Sequence, residues 1–310
     1  MKTTHLIVNE MCREHLREMP TDGVDLVVTS PPYEDARRLS NRQLKNASEE
    51  GWFNGEFRLS GQQWVDWLAP LIVEMVRVSR GLVCVVVEGR TKNFAYSATP
   101  FLLVSQILTQ QHRKVLEAGN DRWDRPYDFE IYARKPIIYH RNGISGSGGP
   151  DYLRNDYEFV LVFSKARKLP WSDNTACGTP PKYKRGGNYS HQTEKGRLKD
   201  GREYPQLEIT NPGNVIKCSV GGGHMGSKYA HDNEAPFSIE LANFLIRTFC
   251  PPSVDYSAVD RRANYAKHRD AFGGIVLDPF AGSGTVAHSA AINNRNSISI
   301  DCRRSQFNLM

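Results

Sequence analysis

Two short runs, VDLVVT (24–29) and LVCVVV (82–87), are almost wholly apolar with no alternation, and they constrain the fold more than any other feature. A strand points successive side chains to opposite faces, so an apolar run needs cover on both. That is the situation of a parallel sheet between helices. The helical spacings agree. MCREHLREM lies between the first two strands. Gln62 to Val78 places Trp64, Leu68, Leu71, Ile72 and Met75 on one stripe, and helices are predicted over about Thr99–Arg113, Ser238–Phe249 and Thr285–Asn293. Further strands are predicted at HLIVN, Phe129–Arg134, Phe159–Ser164, Gly274–Asp278 and Ser297–Asp301. Strands alternating with helices imply an α/β wound parallel sheet.

Three stretches break the alternation: a polar loop over Glu34–Gly61, the Gly/Ser-rich NGISGSGG (142–149), and Lys168 to Gly223, rich in Pro, Gly and basic residues. With 310 residues, one large domain carrying an inserted or appended smaller region is expected. No apolar run approaches the ~18 residues that span a bilayer, and the opening MKTTHLIVNE does not read as a secretion signal. The net charge of +6 is a mild bias toward polyanions. Six scattered cysteines without a C-x-x-C pair argue against a zinc site and for free thiols in a reducing compartment.

Near the end of the chain, IVLDPFAGSGTVAHSAA (275–291) reads as a strand, a glycine turn and a helix start. Glycines let a ligand approach the backbone, and a helix N-terminus offers free amide donors. Asp301, ending the next strand, is placed to accept bonds from ribose hydroxyls. Gly282-x-Gly284-x-x-Ala287 with an acid 19 residues on also satisfies the dinucleotide pattern. Asp278 and Phe280 before the first glycine tilt the choice toward a sulfonium cofactor: the ring could pack on adenine, the acid beside a cationic methionine moiety.

The second motif, Thr29-Ser30-Pro31-Pro32-Tyr33, follows VDLVVT directly, at the strand end where open α/β sheets hold ligands. An amino nitrogen on a base is a poor nucleophile because its lone pair is delocalised into the ring. Ser30 and the carbonyl of Pro31 could each accept one N–H bond and localise that lone pair. Pro31 and Pro32 stiffen the turn. Tyr33 offers a face on which an extruded base can stack.

TSPPY early and DPFAGSGT late together resemble the amino-methylating DNA methyltransferases, in the motif order of their β group. The similarity extends to VNEMCREHLREMPTDGVDLVVTSPPY, EMVRVSRGLVCVVVEGR, DYEFVLVFSKARK, GNVIK and APFSIELANFLIRTF. It implies a circularly permuted S-adenosylmethionine-dependent methyltransferase sheet (Rossmann-like), with HLIVN beside SISID and an inserted target-recognition region. Residues 1–167 would form the catalytic half, 168–223 the target-recognition region and 224–310 the cofactor half. By resemblance, Asp278, Pro279, Phe280, Gly282, Ser283, Gly284, Thr285 and Asp301 bind S-adenosylmethionine, and Ser30, Pro31, Pro32 and Tyr33 handle the target base. Asn9 joins the cofactor set where such chains often carry Asp.

No Pro-Cys dipeptide is present for a C5-cytosine mechanism, and direct transfer to an amino nitrogen needs no covalent step. Ser at the first motif position resembles the N4-cytosine enzymes, with adenine N6 as the alternative. A nicotinamide-dependent oxidoreductase and a catalytically dead DNA-binding protein are the rival readings. In Lys182–Arg202, seven Lys/Arg face two acids. Lys182, Lys184, Arg185, Lys195, Arg197, Lys199 and Arg202 are the expected phosphate contacts, and a solvated loop is the plainer reading. The expected setting is a bacterial or phage-encoded enzyme in the cytoplasm, on DNA and not on a membrane, as a monomer or homodimer, with a paired restriction endonuclease as a further partner.

Overall fold

The computed structural model describes residues 3–34, 59–110, 129–142, 148–182, 188–193, 196–203, 207–219, 237–253 and 274–303. The chain divides into two compact units, Met1–Ser172 with Asn214–Met310, and Asp173–Gly213.

The larger unit carries β1 (His5–Val8), α1 (Cys12–Glu18), β2 (Val24–Thr29), α2 (Gln62–Val78), β3 (Ser79–Val87), β4 (Thr91–Lys92), β5 (Ala95–Tyr96), α3 (Thr99–Gln110), β6 (Tyr132–Ala133), β7 (Ile137–Asn142) and β8 (Tyr157–Ser164). The smaller unit holds β9 (Asn188–Thr193) and β10 (Gly196–Glu203), an antiparallel pair. The larger unit resumes with β11 (Val215–Ser219), α4 (Ile239–Phe249), β12 (Ile275–Asp278), α5 (Thr285–Ile292) and β13 (Asn296–Ile300).

One sheet runs β1-β13-β12-β2-β3-β8-β7-β11, with β6 also pairing β8. The first strand lies parallel to the last, His5 opposite Ser297 and Val8 opposite Ile300. The sheet is mixed rather than wholly parallel, because β8 runs antiparallel to β3, β6 and β7. No described helix separates β7 from β8, and neighbouring strands without a crossover pair antiparallel.

The two apolar runs sit where double burial demands. Val27, Val83, Val85 and Val87 pack with Leu16, Trp64, Leu68, Ile72 and Met75 on one face. Leu26, Val28, Leu82, Cys84 and Val86 pack with Leu241, Leu245, Ile246, Val286 and Ala290 on the other. Each buried aliphatic side chain contributes roughly 1.5–3 kcal/mol, so β2 and β3 anchor both layers. At the base of this pair, a Cβ on Gly81 would lie 2.1 Å from the carbonyl oxygen of Asp25. Only glycine allows that approach, beside a register shift between β2 and β3.

Strands β4, β5, β7, β9, β10 and β11 are additional to the sequence reading. β11 lies inside the stretch read as patternless, because only Ile216 and Cys218 of its five residues are buried. β7 (IIYHRN) buries Ile137 and Tyr139 but has a half-polar sequence. The strand expected over Phe129–Arg134 shortens to two residues.

Candidate active site

Asp278 ends β12 and Thr29 ends β2, and these strands are neighbours with Leu277 opposite Val27. The Thr29 hydroxyl donates to Asp278 Oδ1 at 2.7 Å, so a single buried bond joins motifs 249 positions apart. Asp278 Oδ1 also accepts the Phe280 amide at 3.1 Å. Burial pushes the Asp278 carboxyl up to about 7, the two hydrogen bonds opposing the shift and the charge of Asp301 adding to it.

Backbone geometry shapes the turn after Asp278. Gly282 and Gly284 have φ of +52° and +80°, the left-handed region that other L-residues enter at a cost. Gly284 caps α5, and its amide donates to the Ala281 carbonyl at 2.9 Å. The Ala281 amide donates to the Ile300 carbonyl, and the Gly282 amide to Asp301 Oδ2 at 2.9 Å. Ser283 and Thr285 are buried.

A cavity of about 460 Å³ opens beside this turn, walled by Cys12 and Glu14 of α1, Asp66, Trp67, Pro70 and Leu71 of α2, and Pro279, Phe280 and Asp301. The Trp67 and Phe280 rings meet at 5.8 Å and 52°. Of the nine positions expected to bind cofactor, Pro279, Phe280 and Asp301 line the cavity. Asp278 and the glycines stand behind them as scaffold. The Asp301 carboxylate is shared with Arg303, whose amide donates to Oδ1 at 2.8 Å and whose guanidinium lies at 3.2 Å. Asn9 is exposed and donates from Nδ2 to the Asp301 carbonyl at 2.9 Å.

The Ser-Pro-Pro-Tyr loop is held by side chains. Trp64 Nε1 donates to the Pro32 carbonyl at 2.9 Å. The Tyr33 hydroxyl donates to Glu158 Oε2 at 2.6 Å, reaching past β3 to β8. Ser30 Oγ lies 3.5 Å from the Tyr33 oxygen. Buried Glu34 accepts the Gly61 amide at 2.7 Å and the Thr99 hydroxyl at 3.1 Å. Pro31 is buried, and Ser30, Pro32 and Tyr33 are half-buried. Sequence reasoning gave Thr29 no role beyond opening its motif and missed Trp64, Trp67, Glu158 and Arg141 as site residues, because contacts between distant elements leave no local spacing signal.

In the smaller unit, Lys182 is exposed. Arg197, Lys199 and Arg202 fall on β10, with their side chains outside the described residues, and Lys184, Arg185 and Lys195 lie outside them entirely. Among the described residues no cluster of metal-ligating side chains occurs, and no helix is long and apolar enough to cross a membrane.

A strand-end loop bearing Ser-Pro-Pro-Tyr, bonded to a glycine turn beside an aromatic cavity, can be compared with known proteins. The family model of the N6/N4 DNA methylases matches residues 24–310. The chain belongs to this family. Among solved structures it is similar to the PvuII DNA methyltransferase, which is cytosine-N4-specific, with TM-score 0.61, 16% identity, and coverage of 99% of this chain and 86% of that one. A protein from Thermus thermophilus described as a DNA modification methylase gives 19% identity over 99% and 92% of the two chains, with TM-score 0.49. M1.HpyAVI, in complex with SAM, gives 16%, 99%, 98% and 0.48. The first of these likenesses carries the fold: this N6/N4 DNA methylase has the α/β sheet of the methyltransferases.

Proposed function

We propose that this DNA methylase transfers a methyl group from S-adenosylmethionine to the exocyclic N4 of cytosine in a flipped-out base, directly and without a covalent enzyme intermediate. The observation that carries the reading is the 2.7 Å bond from Thr29 to Asp278, which sets the Ser-Pro-Pro-Tyr loop beside the cofactor turn.

The cavity suits the cofactor. Trp67, Phe280 and Leu71 offer apolar faces for adenine, and Glu14, Asp66 and Asp301 supply acceptors for hydroxyls and cationic groups. Bound there, the cofactor supplies an electrophilic methyl on a sulfonium. Three carboxylates against two guanidiniums, Arg13 in the wall and Arg303 on Asp301, leave the same cavity with an acidic excess that disfavours the pyrophosphate of a dinucleotide. Two amide donors that a pyrophosphate would need, those of Gly282 and Gly284, are already committed.

On this reading Ser30 Oγ and the Pro31 carbonyl accept the amino hydrogens of the base, Tyr33 stacks on its ring, and the buried walls exclude water. The chain order reads as a circular permutation whose ends meet at the β1–β13 pair. The β9–β10 unit reads as part of the target-recognition region, its cations contacting phosphates. Adenine N6 is the second reading, since the family spans both amino positions.

Nucleoside mass spectrometry of plasmid DNA treated with enzyme and S-adenosylmethionine tests the proposal. N4-methylcytosine is expected, falling at least about 100-fold with Ser30→Ala. N6-methyladenine would move the target base, and full activity of Ser30→Ala would remove Ser30 from the chemistry.

A further inference from the structure

Burying a carboxylate costs several kcal/mol unless it is paired, and Glu158 is buried at the edge of the target-base loop. It has two partners. Arg141 of β7 contacts Oε1 at 2.8 Å, and the Tyr33 hydroxyl donates to Oε2 at 2.6 Å, the short distance of a charge-assisted bond. The strand register explains the arrangement: Glu158 lies opposite Tyr139, so Arg141, two positions along β7, reaches it diagonally on the same face. The fold thus spends a buried ion pair on one phenol hydroxyl at the sheet end, where an apolar contact would pack the ring at lower cost.

We infer that Glu158, held by Arg141, is a positioning residue for methyl transfer that acts through the Tyr33 hydroxyl. This rests on the assignment of Ser30 and Tyr33 to the target base. With its hydrogen committed to Glu158, the Tyr33 oxygen turns its lone pairs away from the carboxylate. Ser30 Oγ stands 3.5 Å off, a long contact. As the base enters and this contact tightens, the Ser30 hydrogen has an acceptor in Tyr33. The Ser30 lone pairs are then left for the amino group of the base. The same bond fixes the tip of the Tyr33 ring, so the stacking face is set before the base arrives, a case of preorganisation.

The test compares Glu158→Gln, Tyr33→Phe, their double variant and Ser30→Ala. Each is measured for methyl transfer to saturating plasmid DNA, for S-adenosylmethionine affinity by calorimetry, and for melting temperature. Glu158→Gln keeps the size and an acceptor but drops the charge. It is expected to lower kcat about 10-fold with cofactor affinity unchanged, and Tyr33→Phe to do the same. The double variant is expected to be no slower than the worse single variant, a coupling that a merely structural role would not produce. Full activity of Glu158→Gln while Ser30→Ala is inactive overturns the inference alone, and so do multiplied losses in the double variant. Full activity of Ser30→Ala overturns the underlying site reading instead. If Glu158→Gln melts early, Tyr33→Phe decides: unchanged kcat there also overturns the inference.

Discussion

The glycine turn and the Ser-Pro-Pro-Tyr loop sit on adjacent strand ends, yet they are held by different means. The turn at 278–285 is fixed mostly by backbone: two left-handed glycines and the Ala281–Ile300 and Gly284–Ala281 bonds, with the Asp278 and Asp301 carboxylates each accepting one of its amides. The loop at 29–34 is fixed by side chains from β12, α2, α3 and β8, none within 25 positions of it. A backbone-built site is carried by a few adjacent residue types. A side-chain-built site is distributed over the chain, and each anchor can be removed separately.

That contrast can be sharpened where the two regions meet. Asp278 has its carboxyl raised to about 7 in the fold, against an ordinary value near 4 unfolded, so the folded state holds the proton more tightly. Its contribution to stability is therefore present below about pH 4 and lost as pH rises toward 7, amounting to a few kcal/mol. Asp278→Asn, which stays neutral, is expected to flatten this part of the stability curve and to be more stable than the native chain at pH 8. Urea titrations across pH 4–8 check this, and an unchanged slope would mean that Asp278 does not carry the shift.

Gly284→Val breaks the backbone-built region alone. A β-branched residue at φ +80° costs about 1–3 kcal/mol, and the strain falls on the helix cap beside the cavity. Weaker S-adenosylmethionine binding by calorimetry and a lower melting temperature are expected, and native affinity would show that the turn tolerates a side chain. Trp64→Phe breaks one anchor of the side-chain-built region. It keeps an aromatic in the core and loses the bond to the Pro32 carbonyl, about 0.5–1.5 kcal/mol. Turnover should fall several-fold while cofactor affinity holds; a matching drop in affinity would mean that the two regions are not separable.

The same contrast explains what was legible in the sequence. VDLVVT and LVCVVV announced a doubly covered sheet because double burial removes alternation, and DPFAGSGT announced its turn because left-handed φ demands glycine. The reversed β8 was not legible: an apolar run carries no sign of its direction, and among the described residues no crossover helix lies between β7 and β8. Strand β11 went unseen because two buried residues in five give too weak a period. Glu158 and Arg141 carry no local motif, and only the pairing of β7 with β8 brings them onto Tyr33. The glycine positions could be named from local rules, whereas the anchors of Ser-Pro-Pro-Tyr required the strand order.

The claim that joins both regions is that one buried bond, Thr29 to Asp278, makes two distant motifs a single site. Thr29→Val, Asp278→Ala and the double variant, each assayed for methyl transfer to plasmid DNA, test it most directly. Asp278→Ala is expected to cost about 100-fold in turnover, since small misplacements of reacting groups are expensive. Thr29→Val is expected to cost less, and the double variant no more than Asp278→Ala alone. Losses that multiply in the double variant, or a fully active Asp278→Ala, would contradict the account.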